Sequence, residues 1–174
     1  MVGLGTAGFT DKHLVHQTVW AALKAGYRMI GKITEFKKVK LPRCSPSDTA
    51  DLYSNHQQIA ASLAVSLPEL GLSREDLFLT TKLRPTDLGY LQCKFAVRRF
   101  LEELSTTYLD LVLIHAPEVP PILGMAPSPS DQSRLRLDTW KCLEEFNTAG
   151  VIKSIGVSNY NEEQIQQIIE LGKD

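Results

Sequence analysis

The 174-residue sequence is poor in cysteine, nearly neutral, and without long apolar runs. Its three cysteines, Cys44, Cys93 and Cys142, are odd in number and far apart, and no His or Cys stands at metal-ligand spacing. A disulfide framework and a zinc site are therefore not expected, no metal is expected, and the cysteines read as free thiols. Lysine and arginine total 19 against 20 aspartates and glutamates, for a net charge of -1. That balance gives no electrostatic footprint for nucleic acid as a partner. No apolar run approaches the roughly 18 residues of a membrane span, and residues 1–9 lack the basic-then-apolar layout of a secretion signal. The expectation is a cytoplasmic protein without membrane contact. A Gly-x-Gly-x-x-Gly turn is also missing: Gly3-Leu4-Gly5 sits within or at the end of the first apolar run, and Gly8 does not complete the spacing. The dinucleotide-binding reading of an open sheet loses its main support.

What is present is an ordinary globular composition, 43% hydrophobic and 22% charged, with no break suggesting more than one domain over residues 1–174. Short apolar strands alternate with amphipathic helices. Val2–Ala7 reads as a strand, and the helix after Thr10-Asp11 carries Leu14, Val15, Val19, Ala22 and Leu23 on one face, with Gly26 placed to end it. Tyr27–Ile30 begins a second strand. Ile59, Leu63 and Leu67 mark a second helix that Pro68 and Gly71 are expected to close. Leu77–Leu83 is a third strand, followed by a helix with Val97, Phe100, Leu101 and Leu104 inward. Leu109–Ile114 is the fourth, and Leu137, Trp140, Leu143 and Phe146 mark its helix. Val151–Val157 is the fifth, after which Asn161 and Gln164 form a capping box for a helix burying Ile165, Ile168 and Ile169. About five βα units predict a parallel α/β sheet, open or curled into a barrel.

The polar residues favour the barrel, because successive units place chemistry past a strand's carboxyl end. Asp48 and Tyr53 lie in Asp48-Thr49-Ala50-Asp51-Leu52-Tyr53, Lys82 ends the third strand, and His115 follows the fourth. An acid, a phenol, an amine and an imidazole on one rim make a proton-transfer site with Tyr53 as donor. Each has a plain alternative taken singly: a half-buried tyrosine, a rim ion pair of Asp48 and Lys82, a satisfied core histidine, and a helix lead-in at Ser158-Asn159.

Six landmarks, in order, carry a resemblance: Gly3-Leu4-Gly5-Thr6; Ala25-Gly26-Tyr27-Arg28; Asp48-Thr49-Ala50 with Tyr53; Arg74-Glu75-Asp76 before Thr80-Thr81-Lys82-Leu83; Tyr108-Leu109-Asp110-Leu111 before Ile114-His115; and Ile155-Gly156-Val157-Ser158-Asn159. Together they resemble the aldo-keto reductases over nearly the whole chain. The resemblance implies a (β/α)8 TIM-barrel type fold and reduction of an aldehyde or ketone to an alcohol. Hydride would come from a nicotinamide cofactor, usually NADPH, with NADH as the alternative, and the partner would be a small carbonyl substrate. It assigns catalysis to Asp48, Tyr53, Lys82 and His115. Thr6 and Asp48 would lie near the cofactor's ribose, and Ser158 and Asn159 would hydrogen-bond the nicotinamide carboxamide.

Three departures qualify these expectations. Residues 31–47 stand between Ile30 and Asp48 where relatives run almost directly from one to the other. They read as an insertion, either a solvated basic loop or sequence read through in error. The chain holds about five βα units where a barrel of this type takes about 250 residues, so an incomplete barrel with unpaired edges is expected. The alternative function is accordingly an inactive truncated remnant acting as a binding protein. Ala116-Pro117 replaces a Trp-Pro common among relatives, and the loop from Pro117 to Ser130 would line the substrate side.

Overall fold

The computed structural model describes residues 3–6, 9, 11–31, 55–121 and 126–171. Five parallel strands alternate with five helices: β1 (Gly3–Gly5), α1 (Lys12–Lys24), β2 (Met29–Gly31), α2 (Asn55–Glu69), β3 (Phe78–Leu83), α3 (Tyr90–Glu103), β4 (Leu109–Ile114), α4 (Pro129–Thr148), β5 (Ile152–Val157) and α5 (Glu162–Leu171). The sheet order is β1-β2-β3-β4-β5, so each strand neighbours its successor and, among the described residues, β1 and β5 each have one neighbour. Helical crossovers between neighbouring parallel strands are the βα repeat expected from the alternation. The residues between Gly31 and Asn55, including Asp48, Tyr53 and most of the expected insertion, lie outside the described set.

The chain divides into two compact units, Met1–Leu79 with Glu103–Ser105, and Thr80–Glu102 with Thr106–Asp174. In the first, α1 begins at Asp11, whose carboxylate accepts from Leu14 N at 2.9 Å. It ends at Ala25, followed by Gly26 at φ +91°, a left-handed conformation that glycine adopts without strain. Arg28 closes the same end by donating to Leu23 O at 3.0 Å and Tyr27 O at 2.8 Å. Val15, Val19 and Leu23 are buried on one face, whereas Leu14 is 46% exposed and does not share it. Each such buried aliphatic side chain contributes about 1.5–3 kcal/mol. Pro68 does not end α2 as expected but lies inside its last turn, and Gly71, at φ +64°, makes the turn out. His56, 3% exposed, fixes the first turn of α2 through a 2.9 Å contact with Glu103.

In the second unit β3, β4 and β5 pair in register, with Lys82 opposite Leu113 and Leu113 opposite Gly156. Alternate residues of β3, Leu79, Thr81 and Leu83, are buried, and Thr80 and Lys82 are half-buried, the period-two pattern of a strand. A side chain at Gly156 would bring its Cβ to 2.8 Å from Leu113 Cδ2, so glycine there lets Leu113 lie across β5. The inward face of α4 differs from the apolar spacing expected. Gln132, Arg136, Thr139, Cys142 and Leu143 are buried, while Leu137, Trp140 and Phe146 are half-buried. The polar members of that face hold backbone: Thr139 Oγ1 accepts from Gly89 N at 2.7 Å, and Gln132 bridges both polar atoms of Val119 at 2.9 Å. On α5 the capping box forms as expected, Gln164 N donating to Asn161 Oδ1 at 2.9 Å and Asn161 N to Gln164 Oε1 at 3.0 Å. Only Ile168 of the three expected isoleucines is buried, Ile165 and Ile169 being 41% and 49% exposed. A 3.6-residue period identifies a face but not whether a neighbour covers all of it.

Candidate active site

Lys82, His115 and Ser158-Asn159 stand at the carboxyl ends of β3, β4 and β5 in the second unit. The strands stay hydrogen-bonded to the point where these residues leave them. His115 N donates to Leu83 O at 3.0 Å, and Ser158 N donates to Ile114 O at 2.9 Å. The register therefore runs one step past the regular ladder and fixes where each side chain starts. Asn159 then ties β5 back to β4: its Nδ2 donates to His115 O at 2.7 Å and to Ser158 Oγ at 3.1 Å. Asn159 holds φ at +61°, in the left-handed region that Asn tolerates better than most residues. Its amide nitrogen is thus committed to the rim, and its amide oxygen has no donor among the described residues.

His115 is 6% exposed, so its ring lies within the protein at the strand end rather than in bulk solvent. Lys82 is half-buried on the face that β3 shares with Leu113 and Gly156. Next to Asn159, the Tyr160 hydroxyl is buried with no hydrogen-bond partner among the described residues. Burial pushes its ionisation up to about 12, against a smaller opposing pull from Arg136. A phenol made harder to ionise is a poorer proton donor than a free one, so Tyr160 is unsuited to the role assigned to Tyr53.

Thr6 belongs to the first unit. Fully buried at the end of β1, it donates to Gly31 O from both its backbone N at 3.0 Å and its hydroxyl at 3.2 Å. Asp48 and Tyr53 fall outside the described residues. Of the expected site, the structure brings Lys82, His115, Ser158 and Asn159 to adjacent strand ends.

The segment after β4 is held by residues that apolar periodicity passed over. Pro117 O accepts from Arg136 Nη1 at 3.5 Å, Val119 is clamped by Gln132, and Arg136 Nη2 donates to Gln167 Oε1 at 2.9 Å. Beside them lies a cavity of about 660 Å³ lined by Val119, Gln132, Arg136 and Asn161 among others. The signal available in the sequence was polar residues at helical spacing, Gln132, Arg136 and Thr139, on the face that packs inward. Among the described residues no cluster of three or more His, Cys, Asp or Glu could hold a metal ion, and no helix is long and apolar enough to cross a membrane.

The sequence pattern of the Aldo/keto reductase family matches residues 1–174. The chain belongs to that family. An aldo-keto reductase of Mycolicibacterium vanbaalenii is 33% identical over 171 residues, covering 98% of this chain and 49% of that protein. The glyoxal reductase of Bacillus subtilis is 33% identical over 172 residues, covering 99% and 49%. Among solved structures, the Bombyx mori aldo-keto reductase in complex with NADP superposes with a TM-score of 0.75 at 28% identity, over 97% of this chain and 50% of that one. The chain spans about half the length of the curated relatives it matches. Its parallel five-stranded sheet is part of the (β/α)8 barrel seen in its aldo-keto reductase structural neighbours.

Proposed function

We propose that this aldo/keto reductase chain carries the carbonyl-reducing site of its family, with Tyr53 as proton donor, Lys82 and Asp48 as its electrostatic support, and His115 orienting the substrate. The observation that supports the reading best is the tie at the strand ends. Asn159 Nδ2 bonds His115 O, which holds the cofactor-side pair Ser158-Asn159 and the substrate-side His115 to one rim.

The residues present suit a nicotinamide carboxamide, which offers both an N–H donor and a carbonyl acceptor. The Asn159 amide oxygen is open to the donor, and the Ser158 hydroxyl hydrogen is open to the acceptor, since Ser158 Oγ serves Asn159 as an acceptor at 3.1 Å. Thr6 and Asp48 would serve the ribose side. When bound, NADPH, or NADH in its place, supplies the hydride that reduces the carbonyl carbon.

The remaining work falls to side chains. As the carbonyl oxygen gains negative charge it needs a proton and a positive field. A free phenol, with a pKa of about 10, releases a proton reluctantly at neutral pH. A Lys82 ammonium brought beside Tyr53 would favour the phenolate and ease that transfer, and Asp48 would orient the ammonium. His115 donates to the same oxygen and fixes which way the carbonyl faces. A positioned donor of this kind contributes roughly 10²–10⁴-fold in rate.

Titration of the purified chain with NADPH, followed by quenching of its own fluorescence, tests cofactor binding. Aldehyde-dependent loss of NADPH absorbance, with Tyr53→Phe as control, tests turnover. Binding with Tyr53-dependent turnover is the expected result. A folded chain that neither binds nor turns over would instead support the reading of a catalytically inactive binding protein.

A further inference from the structure

Two cysteines that stand far apart in the sequence meet in the fold. Cys93 on α3 and Cys142 on α4 are both free and fully buried, and their thiols are neighbours. The helices are fastened on either side of this contact. Gly89 N donates to Thr139 Oγ1 at 2.7 Å, and the Tyr90 hydroxyl donates to Glu145 Oε2 at 2.7 Å. Cys93 N donates to Gly89 O at 2.9 Å, one turn along, and Cys142 follows Thr139 by one turn of α4. The thiol pair is therefore one rung of a ladder that fixes α3 against α4.

We propose that Cys93 and Cys142 form a redox-sensitive dithiol that a hydroperoxide converts to a disulfide joining α3 to α4. Neither residue has a part in the carbonyl-reducing site, and the proposal stands independently of it. The Cys142 thiolate attacks one oxygen of hydrogen peroxide, an S–O bond forms, the O–O bond breaks, and hydroxide leaves. The Cys93 sulfur then attacks the Cys142 sulfenic sulfur. The S–S bond forms as the S–O bond breaks, and the departing hydroxide takes up the Cys93 proton as water. In sum, two thiols and one peroxide give one disulfide and two waters, the sulfurs losing the two electrons that the peroxide gains.

The order of attack follows from the contact. The neighbouring Cys93 lowers the Cys142 thiol, whereas the neighbouring Cys142 and burial raise Cys93. The thiolate is the nucleophile, so Cys142 reacts first. Full burial restricts the reaction to small uncharged oxidants that enter as α3 and α4 open locally.

The test uses the full chain treated with hydrogen peroxide, quenched by alkylation in denaturant and digested without reductant. Mass spectrometry is expected to find a peptide pair linked through Cys93 and Cys142. The melting temperature is expected to rise by about 5–10 °C, because the bridge closes a long loop, and to return with dithiothreitol. Cys142→Ala should leave Cys93 reduced and abolish the rise. If that variant does not fold, the peptide map of the unaltered chain decides alone. Recovery of Cys93 and Cys142 in reduced, alkylated form would overturn the proposal. So would a bridge that runs to Cys44, or Cys142 taken to sulfinic acid with no bridge.

Discussion

Replacing Asn159 separates two effects that meet at one residue, the tie between strand ends and the left-handed backbone. Its Nδ2 donates to His115 O at 2.7 Å, and its φ is +61°. Asn159→Gly removes the hydrogen bond but suits the backbone, and the net loss of a bond of this kind is about 1 kcal/mol. Asn159→Ala removes the same bond and adds the clash of a Cβ in the left-handed region, about 1–2 kcal/mol more, for a total of about 2–3 kcal/mol. For a chain of this length each kcal/mol lowers the melting temperature by about 3 °C, so glycine should cost about 3 °C and alanine about 6–9 °C. Both variants also lose the amide oxygen assigned to the carboxamide, so both should weaken NADPH binding about tenfold, near 1.4 kcal/mol. Calorimetry and fluorescence titration on the same preparations read the two effects. Equal melting temperatures for glycine and alanine would refute the strain argument. Unchanged NADPH affinity in both would refute the assignment of Asn159 to the cofactor.

Tyr160→Phe removes a buried hydroxyl that has no partner among the described residues, so calorimetry should show the variant as stable as the original or up to about 1–2 kcal/mol more so, with turnover unchanged. Gln132→Ala deletes two 2.9 Å bonds to Val119 and should cost about 2 kcal/mol in denaturant unfolding, with faster proteolytic cutting after β4. The Asp76 carboxyl is held below its ordinary 3.8 chiefly by the backbone N–H and then the hydroxyl of Ser73. A depressed folded value means that this turn's stabilisation is complete above the unfolded value and lost as pH falls through the folded one. Amide exchange at Ser73 should accelerate only below about pH 4, and Asp76→Asn should remove that dependence.

The fold was legible because the βα rhythm is written in periods of two and 3.6, and several landmarks turn out to be local structural devices. Gly26 and Arg28 close α1, and Asp76 accepts from Ser73 N at 2.8 Å to cap the turn before β3. The rim residues were legible for a related reason: Lys82, His115 and Ser158-Asn159 all fall where an apolar run ends. What could not be read was pairing between residues distant in the sequence. The meeting of Cys93 with Cys142, of Gln132 with Val119 and of His56 with Glu103 joins residues 13–49 positions apart, and no local period encodes them. The inward face of α4 was misjudged for the same reason, since apolar spacing gave no weight to Gln132, Arg136 and Thr139, whose side chains reach the backbone of Val119, Pro117 and Gly89.

The account rests on hydride reaching a carbonyl carbon while Tyr53 protonates its oxygen. Supplying NADPH deuterated at C4 of the nicotinamide, together with an aldehyde, to the purified chain and to Tyr53→Phe tests this most directly. The account predicts alcohol labelled at the former carbonyl carbon from the unaltered chain and at least about a hundredfold less from the variant. Alcohol that carries no label, or labelled alcohol formed equally fast without the phenol, would contradict it.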